Sequence, residues 1–404
     1  MDLFVNKLYS QLFWEPGTKD WELFRSKPDE IVCAKRIDFA AREPQESTAR
    51  KVALLALKII LLPWGLYCGT RWLLQRLIMT KVFPIQSTIL KFFIPELTTK
   101  ALDAQRLKMA EELSKKGFVV RHVCFDHNGT KLSGMAVIHP DHALNGKWVL
   151  QACGNFQPIE HYTDVMVEHY HKQNFNVLFI NGPGAGRSEG MATPETIGAA
   201  QELGISFLET AVKAKKIALA GYSLGGAAMG LAILKHKFKK PSEVEYGAMR
   251  IMSFDRVSTV CRHRYREVIN IESIKHLIKP LVEWAGCEMD SVEASKKLQK
   301  LNIPEVIIQR TDDASEFDSD GVIPKEATLG LCLHQEGIVD KTKTFIRLPG
   351  VGHLDVDPIA LATLSALRDW DAPPPPPAPE PSPAPVPPPS LRNRVIRSLR
   401  YLFS

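Results

Sequence analysis

Residues 217–226 read Ile217-Ala218-Leu219-Ala220-Gly221-Tyr222-Ser223-Leu224-Gly225-Gly226. Residues 217–220 form a short buried-strand run and residues 224–235 a helix, so Ser223 stands on the turn between them. A serine on such a sharp, strained turn projects its Oγ beyond the sheet edge. A side chain at position 221 or 225 would collide with neighbouring backbone, so glycine fits both. The helix that follows aims its N-terminus, with unpaired N–H groups and a positive dipole end, at the hydroxyl. The Leu224 N–H is then one natural donor to an oxyanion. A second donor is expected after the strand at 148–153. There Cys153-Gly154-Asn155-Phe156-Gln157 offers the N–H of Asn155 or of Phe156.

An activated serine needs a base, and the base needs an orienting acid. Among 12 histidines, His353 has the right setting. It ends Leu348-Pro349-Gly350-Val351-Gly352-His353, after the last predicted strand and before the last helix. The acid should follow the strand at 306–309. Residues 310–324 offer Asp312, Asp313, Asp318 and Asp320. Asp320, four residues before Pro324, is preferred, with Asp313 as the alternative acid. The carboxylates there do not follow calcium-loop spacing. His161, His169 and His171 fall in a helix beyond the oxyanion loop, and His122, His127, His139 and His142 in an early hairpin. All seven read as structural or solvated. No metal or cofactor is called for.

Working outward, Asn128-Gly129 between alternating segments predicts a β-hairpin. Thr98 or Thr99 caps a helix that runs to Lys116 and stops at Gly117, with Leu102, Met109 and Leu113 on one face. From residue 175 onward, short apolar strands alternate with helices, one of them opened by Thr193-Pro194-Glu195. That pattern predicts an α/β fold: a mostly parallel central sheet with helices on both faces and an antiparallel end. Residues 255–300 should form a small helical cap. The glycine-rich stretch 181–190 lacks the Gly-Lys-Ser/Thr ending of a phosphate loop and reads as a compact loop beside the serine turn.

The flanks differ from this body. Of 28 prolines in 404 residues, twelve lie between Pro373 and Pro389, which rules out helix or sheet there and predicts an extended spacer. The expected organisation is an N-terminal helical region (1–100), a catalytic domain (101–371), a proline-rich linker (372–390) and a basic amphipathic segment (391–404). The last segment holds four arginines and no acid, so most of the formal +6 charge sits at this tip. A nearly balanced body argues against a nucleic-acid binder. Residues 52–69 are apolar except for Lys58, and basic residues flank them. They read as a buried hairpin broken at 63–65, or as a membrane-inserted or interfacial element. Residues 50–81 and 391–404 are therefore the candidate contacts with a membrane surface. Seven scattered cysteines without a CxxC pair point to a reducing compartment or the cytoplasmic side, with peripheral or integral attachment left open.

The order Ser223, Asp320 (or Asp313), His353 resembles that of the α/β-hydrolase superfamily, and the likeness extends over residues 117–370. Ser253-Phe254-Asp255-Arg256 with Asp290-Ser291-Val292-Glu293-Ala294 is similar to small-cap members. The whole layout, an apolar N-terminal helical region ahead of a Gly-Tyr-Ser-Leu-Gly-Gly domain, resembles the CHLPS group of chlamydial hydrolase-like proteins. The resemblance implies a serine hydrolase of carboxylesterase, lipase or thioesterase type. Its substrate would be a small acyl or lipid-like ester, thioester or amide. Gln309-Arg310 departs from the His-Gly often found at that position. The competing expectation is a non-catalytic binding or scaffold protein on the same fold.

Overall fold

The computed structural model describes residues 62–82, 91, 93–155, 158–266, 272–312 and 316–372. Phe156, Asp313, residues 52–61, nearly all of the proline-rich linker and the basic segment 391–404 lie outside the described residues. The fold belongs to the first of two compact units, Met1–Arg368; the second is Asp369–Ser404.

Eight strands form one sheet: β1 (Val119–His127), β2 (Thr130–Ile138), β3 (Lys147–Ala152), β4 (Asn176–Ile180), β5 (Lys216–Tyr222), β6 (Glu245–Ile251), β7 (Glu305–Thr311) and β8 (Lys343–Pro349). Their spatial order is β1-β2-β4-β3-β5-β6-β7-β8. The pairings of β2 with β1 and β4 are antiparallel and the other five are parallel. The first hairpin turns at Asn128 and Gly129, whose φ values of 52° and 84° are the positive pair that a two-residue turn demands.

Among the described residues ten α-helices accompany the sheet: α1 (Leu62–Val82), α2 (Thr99–Lys115), α3 (Ile159–Lys172), α4 (Pro194–Thr210), α5 (Leu224–Lys235), α6 (Val257–Arg266), α7 (Glu272–Trp284), α8 (Ser291–Lys300), α9 (Leu329–Gln335) and α10 (Val356–Asp371). Strand side chains alternate between faces. Trp148, Leu150, Ile217 and Leu219 share a core with Phe207 of α4, Met229 of α5 and Leu298 of α8. The opposite parity serves α3, where the Tyr170 hydroxyl donates to Gln151 Oε1 at 2.5 Å. Helices thus cover both faces. The caps are those the sequence implies. Thr98 Oγ1 accepts the Ala101 N–H, and Thr193 forms a reciprocal capping box with Thr196.

Residues 63–65 are helical, within α1, and the other arm of the expected hairpin lies outside the described residues. One expectation needs correction. In the cap interval, α6 and α7 pack on each other, whereas α8 packs on α5 in the sheet layer. The cap is therefore α6 and α7. Helix α1 leans on α7: Tyr67 meets Trp284 edge-on at 5.4 Å, and Met79 is fully buried with Leu97, Phe254 and Val282. No helix among the described residues is long and apolar enough to cross a membrane.

Candidate active site

Ser223 lies between β5 and α5 with φ 53° and ψ −120°, a left-handed conformation costly for a non-glycine residue. The tight turn needs both flanking glycines. A methyl on Gly225 would overlap the Ala152 carbonyl, and one on Gly221 would lie 2.5 Å from the Gly225 oxygen. Two residues that sequence reasoning missed brace this turn. Ser253 Oγ donates to the Ser223 carbonyl at 3.1 Å, and Gln309 Nε2 donates to the Ser253 carbonyl at 2.7 Å. Gln309 Oε1 also accepts the Gly330 N–H, so the departure at this position is a buried bridge between β7 and α9.

His353 follows β8 on the expected loop. Its Nε2 lies 2.9 Å from Ser223 Oγ and its Nδ1 lies 2.6 Å from Asp320 Oδ2. The Tyr222 hydroxyl donates to the His353 carbonyl, and the His353 N–H donates to the Asp320 carbonyl at 2.9 Å. Asp320 is oriented by backbone: its Oδ1 accepts the N–H groups of Val322 (3.0 Å) and Ile323 (2.7 Å). All three residues are buried, between 5% and 7% exposed, yet Ser223 reaches a cavity. The other described aspartates of that loop point elsewhere. Asp312 accepts the Glu316 N–H, and Asp318 faces Arg310 at 3.7 Å.

The cavity, about 310 Å³, is lined by Ser223, Leu224 and Asn155 and by the apolar Phe254, Val257 and Ile323. Lys81 and Val82 from the end of α1 complete its wall, so the N-terminal helix takes part in the site. Leu224 opens α5, and its N–H belongs to the first turn, where no intrahelical acceptor exists. Cys261 also lines the cavity, but burial pushes its thiol up to about 11, which leaves it protonated and a poor nucleophile at neutral pH.

Behind the oxyanion loop lies a buried ionic network that sequence reasoning also missed. Arg106 of α2 donates through Nε to Glu160 of α3 at 2.8 Å and through Nη1 to Ser133 Oγ at 2.6 Å. Asn181 Nδ2 donates to the same carboxylate at 3.2 Å while its Oδ1 accepts the Ile159 N–H at 3.0 Å. Asp103, one turn before Arg106, pairs with Arg187 at 2.7 Å. Burial raises the Asp103 pKa despite that partner. The glycine-rich loop 181–190 is thus tied to α2 by charges, as a structural loop.

Asp255, at the base of the cap, is nearly fully buried. One carboxylate oxygen accepts from Thr259 Oγ1 at 2.9 Å and the other has no partner. Burial pushes its pKa up to about 6 from the ordinary 3.8. Between those values the native state holds a proton that the unfolded chain has released. This group's contribution to stability therefore falls by about 3 kcal/mol as pH rises from about 4 to 6. Asp255→Asn should remove that slope. Denaturant unfolding at pH 4 and pH 7 should find the variant gaining on the wild type at pH 7; an unchanged difference would contradict this.

The strand order, the turn that carries Ser223 and the loop that carries His353 define an α/β-hydrolase fold. Residues 46–369 match the family described as Chlamydia CHLPS protein (DUF818), and the chain belongs to that family. Among solved structures, an α/β-hydrolase from Vibrio vulnificus is similar at 19% identity, covering 70% of this chain and 92% of its own, with a TM-score of 0.48. A Pyrococcus furiosus esterase is similar at 17% identity, with 65% and 92% covered and a TM-score of 0.47. Est1E from Butyrivibrio proteoclasticus, solved with ferulic acid bound, is similar at 13% identity, with 61% and 97% covered and a TM-score of 0.43. No curated protein matches the sequence.

Proposed function

We propose that this protein is a serine hydrolase that cleaves an acyl ester, thioester or amide, with Ser223 as nucleophile, His353 as base and Asp320 as orienting acid. One observation carries the reading: the continuous hydrogen-bonded chain from Ser223 Oγ through the imidazole to the Asp320 carboxylate. His353 takes the Ser223 proton as Oγ attacks the acyl carbonyl. The carbonyl π pair moves onto oxygen, held by the Leu224 N–H and an N–H from position 155 or 156. Collapse expels the alcohol, thiol or amine, which receives the proton from His353. Water, deprotonated by His353, then attacks the acyl-enzyme; the bond to Ser223 Oγ breaks, Oγ regains its proton from His353, and the carboxylic acid leaves. The largely apolar wall of Phe254, Val257 and Ile323 favours an aliphatic or aromatic acyl group. The test is a fluorophosphonate probe on the full chain. Covalent labelling should occur at Ser223 and vanish in Ser223→Ala. Absence of both labelling and ester turnover would favour the binding-scaffold reading.

The same proposal includes work at a membrane surface. Trp72, Leu73 and Leu77 of α1 and Leu277 and Leu281 of α7 are each more than 40% exposed, beside Arg71, Arg76 and Lys279. Such exposed apolar residues with basic neighbours suit an anionic lipid interface, and the end of the same helix α1 lines the cavity. Full-length protein should float with anionic vesicles, and Trp72→Glu/Leu77→Glu should reduce flotation. Flotation of neither protein would remove the membrane from the proposal.

A further inference from the structure

Three histidines that read as separate structural residues in the sequence meet at the far end of the sheet from Ser223. His139 follows β2, His142 ends the 3-10 turn Pro140–His142, and His171 lies in the last turn of α3. One ring nitrogen from each can be chosen so that all three lie within 4.8 Å of one another. The ring centroids of His139 and His171 are 4.1 Å apart, and those of His142 and His171 are 4.9 Å apart. Phe118 packs edge-on against His139 and His171 from one side.

The surrounding contacts fix this arrangement. Asn176 Nδ2, at the start of β4, donates to the His142 carbonyl at 3.0 Å and anchors the turn. The backbone N–H of Asp141 donates to His139 Nδ1 at 3.3 Å and helps to hold that ring in place. His171 Nδ1 is shielded from solvent and makes no hydrogen bond. A shielded ring nitrogen without a partner is costly, and a metal ion would satisfy it.

We infer that His139, His142 and His171 form a binding site for a divalent transition-metal ion, with zinc as the ion of choice. Imidazole nitrogen suits zinc, and three histidines leave a fourth position for water. Ligand nitrogens at about 2.1 Å from zinc lie no more than about 4.2 Å apart, so binding draws the rings slightly inward. The ion would clamp the link between β2 and β3 to the end of α3. The six residues of β3 put about 20 Å between that end of the sheet and the Ser223 end, so the ion takes no part in the proposed hydrolysis.

The test titrates metal-free full chain, thiols kept reduced, with zinc against a chromophoric chelator and with cobalt(II) by visible absorption. One equivalent should bind, cobalt should give tetrahedral d–d bands without a thiolate charge-transfer band, and zinc should raise the unfolding midpoint. In His139→Gln/His171→Gln the affinity should fall at least about 100-fold and the zinc-dependent midpoint shift should vanish. The metal-free midpoint of the variant, compared with wild type, checks that it folds. If it does not, His142→Gln is used, with an expected loss of at least about tenfold. Absence of a one-equivalent step in wild type, a thiolate band, or an unchanged step in the variants would overturn the site.

Discussion

Ser223→Ala should lower kcat on short acyl esters by about a millionfold while leaving the fold intact. Removing the nucleophile deletes the covalent route outright, and only oxyanion stabilisation and binding remain. The fold survives because the Cβ stays and the hydroxyl's partner is at the cavity: His353 Nε2 faces Ser223 Oγ there. Losing that one hydrogen bond costs about 1 kcal/mol. The backbone gives an independent check. Ser223 holds φ at 53°, so Ser223→Gly should be equally inactive yet at least as stable as the alanine variant. Ester kinetics and denaturant unfolding on the same preparations measure both. Substantial activity in either variant would remove Ser223 from the chemistry.

Asp320→Asn should cost about ten-thousandfold in kcat, and the contacts explain why so small a change matters. Asp320 Oδ1 already accepts two backbone N–H groups, from Val322 and Ile323. An asparagine would keep its oxygen there and turn its NH2 toward His353 Nδ1. The imidazole would then accept at Nδ1 and carry its proton on Nε2, where it cannot take the Ser223 proton. The ground-state structure should barely change, so KM should move much less than kcat. Asp313→Asn should leave the rate near wild type. The reverse outcome, loss at 313 and not at 320, would reassign the acid.

The serine turn and the histidine loop were legible because local rules govern them. A strand, a sharp turn flanked by glycines and a helix are consecutive in the chain, and the φ of 53° at Ser223 is a property of that segment. The hairpin at Asn128-Gly129 and the caps at Thr98 and Thr193 were legible for the same reason. For the acid the sequence favoured Asp320 over Asp313 without deciding between them, since several aspartates share the loop. What separates Asp312 and Asp318 from Asp320 is which partner each finds: Glu316 N–H, Arg310, or His353.

A signal for the buried charges was present and overlooked. Arg106 stands four residues after Leu102 and seven before Leu113, inside the apolar stripe of α2. A cation in such a stripe is either a helix error or one half of a buried pair, and its other half is Glu160. His139 and His142, three residues apart, were likewise half of a ligand pattern.

By itself, the sequence determined the α/β alternation, the strained serine turn and the order of the three side chains, because each depends on neighbours a few residues away. Tertiary structure decided which aspartate meets His353, that α1 walls the cavity, and that His171 meets His139 and His142. Those outcomes depend on strand order and helix docking, which bring together residues far apart in the chain, 130 for Ser223 and His353 and more for Tyr67 and Trp284. No local propensity encodes such distances; the packing of the whole core does.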